Sequence, residues 1–144
     1  MTESDPFDLQ RFVKAQMTAF EPAMAELQAG RKQTHWMWFV FPQLRGLGQS
    51  PRSVEYGIAS LDEARAYLDH KVLGRRLELA TEIVLSRDPK SLTTMFGPPD
   101  DAKFLSSMSL FSVADPGPYT PFRMALKRWG GGVPDQGTAR LLGL

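Results

Sequence analysis

Cysteine is absent. That removes disulfides, thiolate metal sites, iron–sulfur clusters and cysteine nucleophiles, and with them any disulfide-linked partner. Histidine occurs only as His35 and His70, never as a pair at i,i+4 spacing. A metal centre is therefore not expected, and no cofactor is expected either. A surplus of charge is also missing: 17 Lys plus Arg stand against 16 Asp plus Glu, a net charge of +1. That balance argues against bulk-electrostatic binding of nucleic acid and leaves room only for a local basic patch. The longest apolar run, Trp36 to Phe41, is too short to cross a bilayer, so no membrane span is expected. The polar, acidic stretch Met1 to Asp8 lacks the basic and apolar regions of a secretory signal, and a cytoplasmic location is the expectation. Nor does any segment alternate with period two over more than a few residues. Asn-Gly and Asp-Gly hairpin turns are lacking, which speaks against a sheet.

What is present is a globular composition: 144 residues, 42% hydrophobic and 23% charged. A chain of this size buries about two-thirds of its unfolded surface without disulfide or metal staples. The expected architecture is all-α, one domain over residues 1–144, with eight or nine short helices around one core. Apolar residues at helical spacing predict a first helix from about Pro6 to Gln16. A second is predicted from near Thr18 or Ala19 to Gly30, because Pro22 fits only in a first turn. Thr34 is expected to cap a helix through His35 to Phe41. That segment is apolar around its whole circumference and should be buried on all sides. Ser50-Pro51, Ser60 with Glu63, Ser91, Pro98-Pro99-Asp100 and Asp135 mark further helix starts. Asp88-Pro89, Gly97, Asp115-Pro-Gly-Pro118 and Gly130-Gly-Gly132 mark breaks.

Four stretches carry a resemblance. They are Asp5 to Phe12 with Ala15-Gln16; Gly30 through His35-Trp-Met-Trp-Phe-Val-Phe-Pro-Gln-Leu44 with Gly46-Leu-Gly48; Tyr56 to Ser60 with Glu63 to Leu68 and Leu73-Gly74; and Phe96-Gly97, Asp100, Lys103 and Ser106 to Phe111. Together they resemble the bacterial domain-of-unknown-function 1810 family over nearly the whole chain. The resemblance implies an all-helical fold and no established activity. The family is sometimes labelled "calpastatin", which implies inhibition of a calcium-dependent protease. Inhibitors of that type are disordered chains of low hydrophobicity, whereas this composition predicts a packed globule. The sequence departs from the family's usual His-Pro at His70-Lys71, a helix connection.

Three groups of residues could carry chemistry. Trp36, Trp38, Phe39 and Phe41 could stack on a flat ligand, or simply fill the core. His35, at the start of their helix, could stay neutral and act as a base or hydrogen-bond a ligand, or could tie the helix to a neighbour. The loop Arg45-Gly-Leu-Gly-Gln-Ser-Pro-Arg52 runs into a helix start. Arg45, Ser50 and Arg52 there suit a phosphate or carboxylate, although an ordinary turn with solvated arginines has the same composition. Lys103, Ser106 and Ser107 share a helix face, where a desolvated lysine could activate serine, or buried serines could bond to backbone.

Two readings of function follow. In the first, His35, Trp36, Trp38, Gln43, Arg45, Ser50, Arg52, Lys103, Ser106 and Ser107 form a site for a small anionic or nucleotide-like ligand. Any catalysis would be acid–base chemistry by His35 or Lys103, with Ser107 a candidate nucleophile. In the second, the chain is a non-catalytic helical interaction module. The readings separate on whether Lys103, Arg45 and His35 meet in one partly apolar hollow.

Overall fold

The computed structural model describes residues 4–144, and among these residues the secondary structure is helical. The helices are α1 (Gln10–Gln28), α2 (Met37–Val40), α3 (Pro51–Glu55), α4 (Leu61–Asp69), α5 (Leu73–Arg87), α6 (Leu92–Phe96), α7 (Asp100–Ala114), α8 (Pro121–Trp129) and α9 (Gln136–Leu142). One isolated parallel bridge pairs Leu44 with Ile58. No helix among the described residues is long and apolar enough to cross a membrane. The all-α expectation holds.

Most helix starts follow from local chemistry. The side chains of Ser50, Ser60, Ser91, Thr120 and Asp135 each accept a hydrogen bond from the backbone N–H three residues on. Each satisfies a donor that the first turn leaves free. Pro51 and Pro121 occupy first-turn positions, where a missing N–H does no harm.

Two expectations about the first third of the chain need correction. The two helices predicted over 6–30 are one helix, α1, with Pro22 inside it. Phe12, Gln16, Ala23 and Leu27 form one continuous buried stripe along α1. Its burial outweighs the hydrogen bond that Pro22 cannot donate, and Pro22 itself lies on the exposed side. The helix also begins later than predicted. Asp5 accepts the N–H groups of Leu9 and Gln10 at 2.9 and 3.0 Å, and Asp8 takes a φ of +51°. The second correction concerns Thr34, which does not cap α2. Its N–H and hydroxyl are both given to Glu26 of α1, and α2 is only Met37–Val40.

Helix α7 runs through the centre, packed against α2, α4, α6, α8 and α9. Aromatic rings knit the core around it. Phe104 meets Phe41 edge-on at 5.0 Å and stacks on Phe96 at 5.0 Å. Phe111 and Phe12 flank the fully buried Tyr67 at 5.4 and 5.2 Å. Gln16 satisfies the polar edge of this core by donating to the Phe39 carbonyl and the Tyr67 hydroxyl. Helix α1 lies along α5 and brings its C-terminal end under the segment leading to α2.

Candidate functional site

The segment between α1 and α2 is held by one carboxylate. Glu26 accepts bonds from the backbone N–H groups of Gln33 (2.6 Å) and Thr34 (2.9 Å), the Thr34 hydroxyl, and the indole N–H of Trp36 (2.9 Å). Partial burial works to raise the Glu26 pKa, but these four bonds stabilise the charged form and bring it down to about 2. The consequence is positional. Trp36 turns into the core, and Lys32, His35 and Trp38 fall along the edge of a cleft.

The cleft encloses about 350 Å³ between this segment, α2 and the start of α7, with Phe96, Pro98 and Pro99 along one wall. That volume is at the lower end for small-molecule sites. Trp38, Met37 and Lys103 are shared with a crevice of about 10 Å³, room for a single water-sized group, which Gln43, Ser53 and Tyr56 also line.

Charge in the cleft is unevenly committed. The Lys32 ammonium, whose side chain is only 6% exposed, lies 2.8 Å from Asp100 Oδ2. Lys103 lies 3.6 Å from Asp100 Oδ1 with its side chain 24% exposed. Its ammonium is also 5.2 Å from the centre of the Trp38 ring, and the Arg52 guanidinium lies over the same ring at 5.2 Å. Cation–π attraction therefore stations two cations on one indole. The Trp38 Nε1 and the Ser107 hydroxyl are buried and find no hydrogen-bond partner in the protein. Groups of that kind call for an explanation, because leaving a buried donor unpaired costs about 1–3 kcal/mol.

A family model described as "Protein of unknown function (DUF1810)" matches residues 6–142. The chain belongs to the DUF1810 family. The crystal structure of the conserved hypothetical protein Rv1873 from Mycobacterium tuberculosis is similar to this DUF1810 chain. It is 51% identical, with a TM-score of 0.92 over 97% of this chain and 99% of that one. No curated protein matches the chain.

The residues singled out from the sequence of this DUF1810 protein divide into two sets. His35, Trp38 and Lys103 line the cleft, Gln43 lines the adjoining crevice, and Arg52 sits over Trp38. The other five line neither the cleft nor the crevice. Trp36 is 2% exposed, within the core. Arg45 donates to the carbonyls of Val54 (2.9 Å) and Gly57 (3.0 Å), closing its own loop onto α3. Ser50 caps α3 and also donates to the Ser53 hydroxyl. Ser106 and Ser107 are buried, Ser107 one helical turn beyond Lys103 on the same face. The glycines of the loop serve packing. A Cβ on Gly48 would stand 2.6 Å from Ser53 Oγ, so the loop lies flat on α3. The expectation that α2 is buried all round also needs correction. Met37 and Val40 are buried, but Trp38, which borders the cleft, and Phe39 are partly exposed.

Sequence reading missed Lys32, Asp100 and Glu26. Lys32 falls in a polar stretch without periodicity, and Asp100 reads as an ordinary first-turn acid. Glu26 acts on residues seven to ten positions away, beyond the range of local capping patterns. His70, in the connection between α4 and α5, serves the start of α5: its Nδ1 accepts from the N–H groups of Val72 and Leu73.

Proposed function

We propose that the chain binds a small anionic molecule in the cleft beside Trp38, with Lys103 as the principal cation and Arg52 as the second. The observation that carries this is the unequal division of Asp100. The Lys32 side chain is paired at 2.8 Å and nearly buried, while Lys103 is only loosely paired and about a quarter exposed. Lys103 can therefore turn to an incoming oxyanion without leaving a buried charge unpaired. Lys32 and Lys103 outnumber the one carboxylate that lines the cleft with them, which favours a negative ligand.

Of the anionic and nucleotide-like ligands, the compact anion is favoured. Stacking a base on Trp38 means displacing cations that lie 5.2 Å from its ring centre. The interaction-module reading has less support. The exposed large apolar side chains are spread along the chain: Met17, Val54, Leu79, Met124 and Leu141 each lie on a different helix, and Val72, Tyr119, Val133 and Leu144 lie outside the helices. The reading assigns no reaction. Ser107 is buried and lines neither the cleft nor the crevice.

A thermal-shift series with phosphate, sugar phosphates, nucleotides and small carboxylates tests the proposal, since a ligand of the native state raises the melting temperature. At least one anion class should stabilise the wild type, and Lys103→Ala should abolish the effect. Lys103→Ala itself should change stability by no more than about 1 kcal/mol, its ion pair being partly exposed. Shifts that persist in Lys103→Ala would place anion binding elsewhere.

A further inference from the structure

Asp100 lines the cleft it helps to neutralise, an unusual companion for an anion site. Its two oxygens are differently engaged. Oδ2 is 2.8 Å from Lys32, a full charge-assisted contact, whereas Oδ1 is 3.6 Å from Lys103, beyond hydrogen-bonding range. A carboxylate oxygen accepts about two hydrogen bonds, so Oδ1 retains acceptor capacity on the cleft side. An oxyanion arriving at Lys103 would bring a second negative charge close to Oδ1. A bare anion meets that repulsion uncompensated. An anion carrying a hydroxyl on a neighbouring carbon can donate the O–H to Oδ1 while its oxyanion takes the Lys103 ammonium. The 3.6 Å between Oδ1 and Nζ is short enough for two groups a few bonds apart to engage both.

We infer that the ligand is a hydroxylated oxyanion, and that Asp100 is the residue that selects the hydroxyl; this rests on the anion reading above. A hydroxyl is favoured over an ammonium as the donor, because Lys32 and Lys103 already flank Asp100 with positive charge. Phe96, Pro98 and Pro99 on one side and Met37 on the other provide apolar surface for a short carbon skeleton, and about 350 Å³ limits its size. The shared chemistry covers small hydroxy acids and small polyol or sugar phosphates.

The test compares matched probes on the full chain: lactate against propionate, and glycerol phosphate against propyl phosphate. Dissociation constants are read by NMR titration of the Trp38 indole N–H. In the pair of the correct oxyanion, the hydroxylated member should bind about tenfold more tightly, the usual worth of one hydrogen bond to a charged group. Which pair responds separates a carboxylate ligand from a phosphate. In Asp100→Asn the plain anion should gain affinity, because repulsion is removed, and the ratio should fall towards one. If Asp100→Asn does not fold, because the nearly buried Lys32 loses its charged partner, the wild-type ratios decide alone. Ratios near one in both wild-type pairs, with binding still lost in Lys103→Ala, would overturn the hydroxyl inference and leave the anion site standing. Binding of no probe, or binding indifferent to Lys103, would overturn both.

Discussion

Trp36 and Trp38 are two positions apart, yet the structure gives them opposite roles. Trp36 is 2% exposed and hydrogen-bonded to Glu26, so Trp36→Ala should leave a cavity and cost about 3–5 kcal/mol in denaturant unfolding. Trp38 is partly exposed under two cations. Trp38→Ala should cost less than half as much while weakening anion binding, because Lys103 and Arg52 lose the ring that stations them. Glu26 holds Trp36 and carries a pH signature. Its folded pKa is about 2 against an ordinary 4.5, a lowered carboxylate. The stabilisation is therefore fully present above about pH 4.5 and is lost as the pH falls from there towards 2. Glu26→Gln should lower the melting temperature at pH 7 and flatten its dependence on pH across that window. An acid melting series on both proteins checks this, and equal slopes would mean that the carboxylate is not the anchor of residues 33–36.

Most helix starts that depend on chemistry within three or four residues were legible in this sequence. Ser60 illustrates it: the serine accepts the Glu63 N–H, as the capping-box spacing anticipates. Even there a detail departs, since Glu63 reaches back to the Ala59 N–H and pairs with Arg11. Ser60→Ala should cost about 1 kcal/mol. Elements set by distant partners were not legible. Thr34 looks like a cap, but Glu26 outcompetes the helix for it. Arg45 looks like a free cation, but two backbone carbonyls of the following turn absorb it. The candidate site followed the same rule: His35, Trp38 and Lys103 could be named from residue type, whereas Lys32 and Asp100 gain meaning only from their 2.8 Å approach. Pro22 is the plainest case of a local rule overridden by packing. Replacing it with Ala restores an N–H donor to the Thr18 carbonyl without disturbing the buried stripe. An interior helical proline costs about 3 kcal/mol, and losing its stiffening of the unfolded chain returns roughly 1 kcal/mol of that. Pro22→Ala should thus stabilise the protein by about 2 kcal/mol, read as a higher denaturant midpoint at unchanged slope.

At the scale of the whole molecule, the cleft owes its form to how closely the larger helices pack behind it. Helix α7 supplies Asp100 and Lys103 at its solvent end, while its remaining length is buried among α4, α8 and α9. Helices α4 and α5 in turn pack on each other and meet α7 and α8 respectively. The α4–α5 corner tolerates no added atom. A Cβ built on Gly74 would stand 2.0 Å from the Leu68 carbonyl oxygen and 2.8 Å from its carbon, both backbone atoms of α4. No side-chain rotation can relieve that overlap. The two helices must move apart, and because Tyr67 and Leu77 on their facing turns are buried in the common core, the movement would open packing around α7. Overpacking against flexible side chains costs about 1–3 kcal/mol, so a clash between two backbones should lie at or above the top of that range. Gly74→Ala should therefore unfold at a markedly lower denaturant concentration than wild type. Because the strain is in the core and not in the cleft, any folded fraction should keep the proposed anion affinity, which Lys103→Ala is expected to lose. A Gly74→Ala protein as stable as wild type would show that α4 and α5 sit farther apart than the 2.0 Å approach requires.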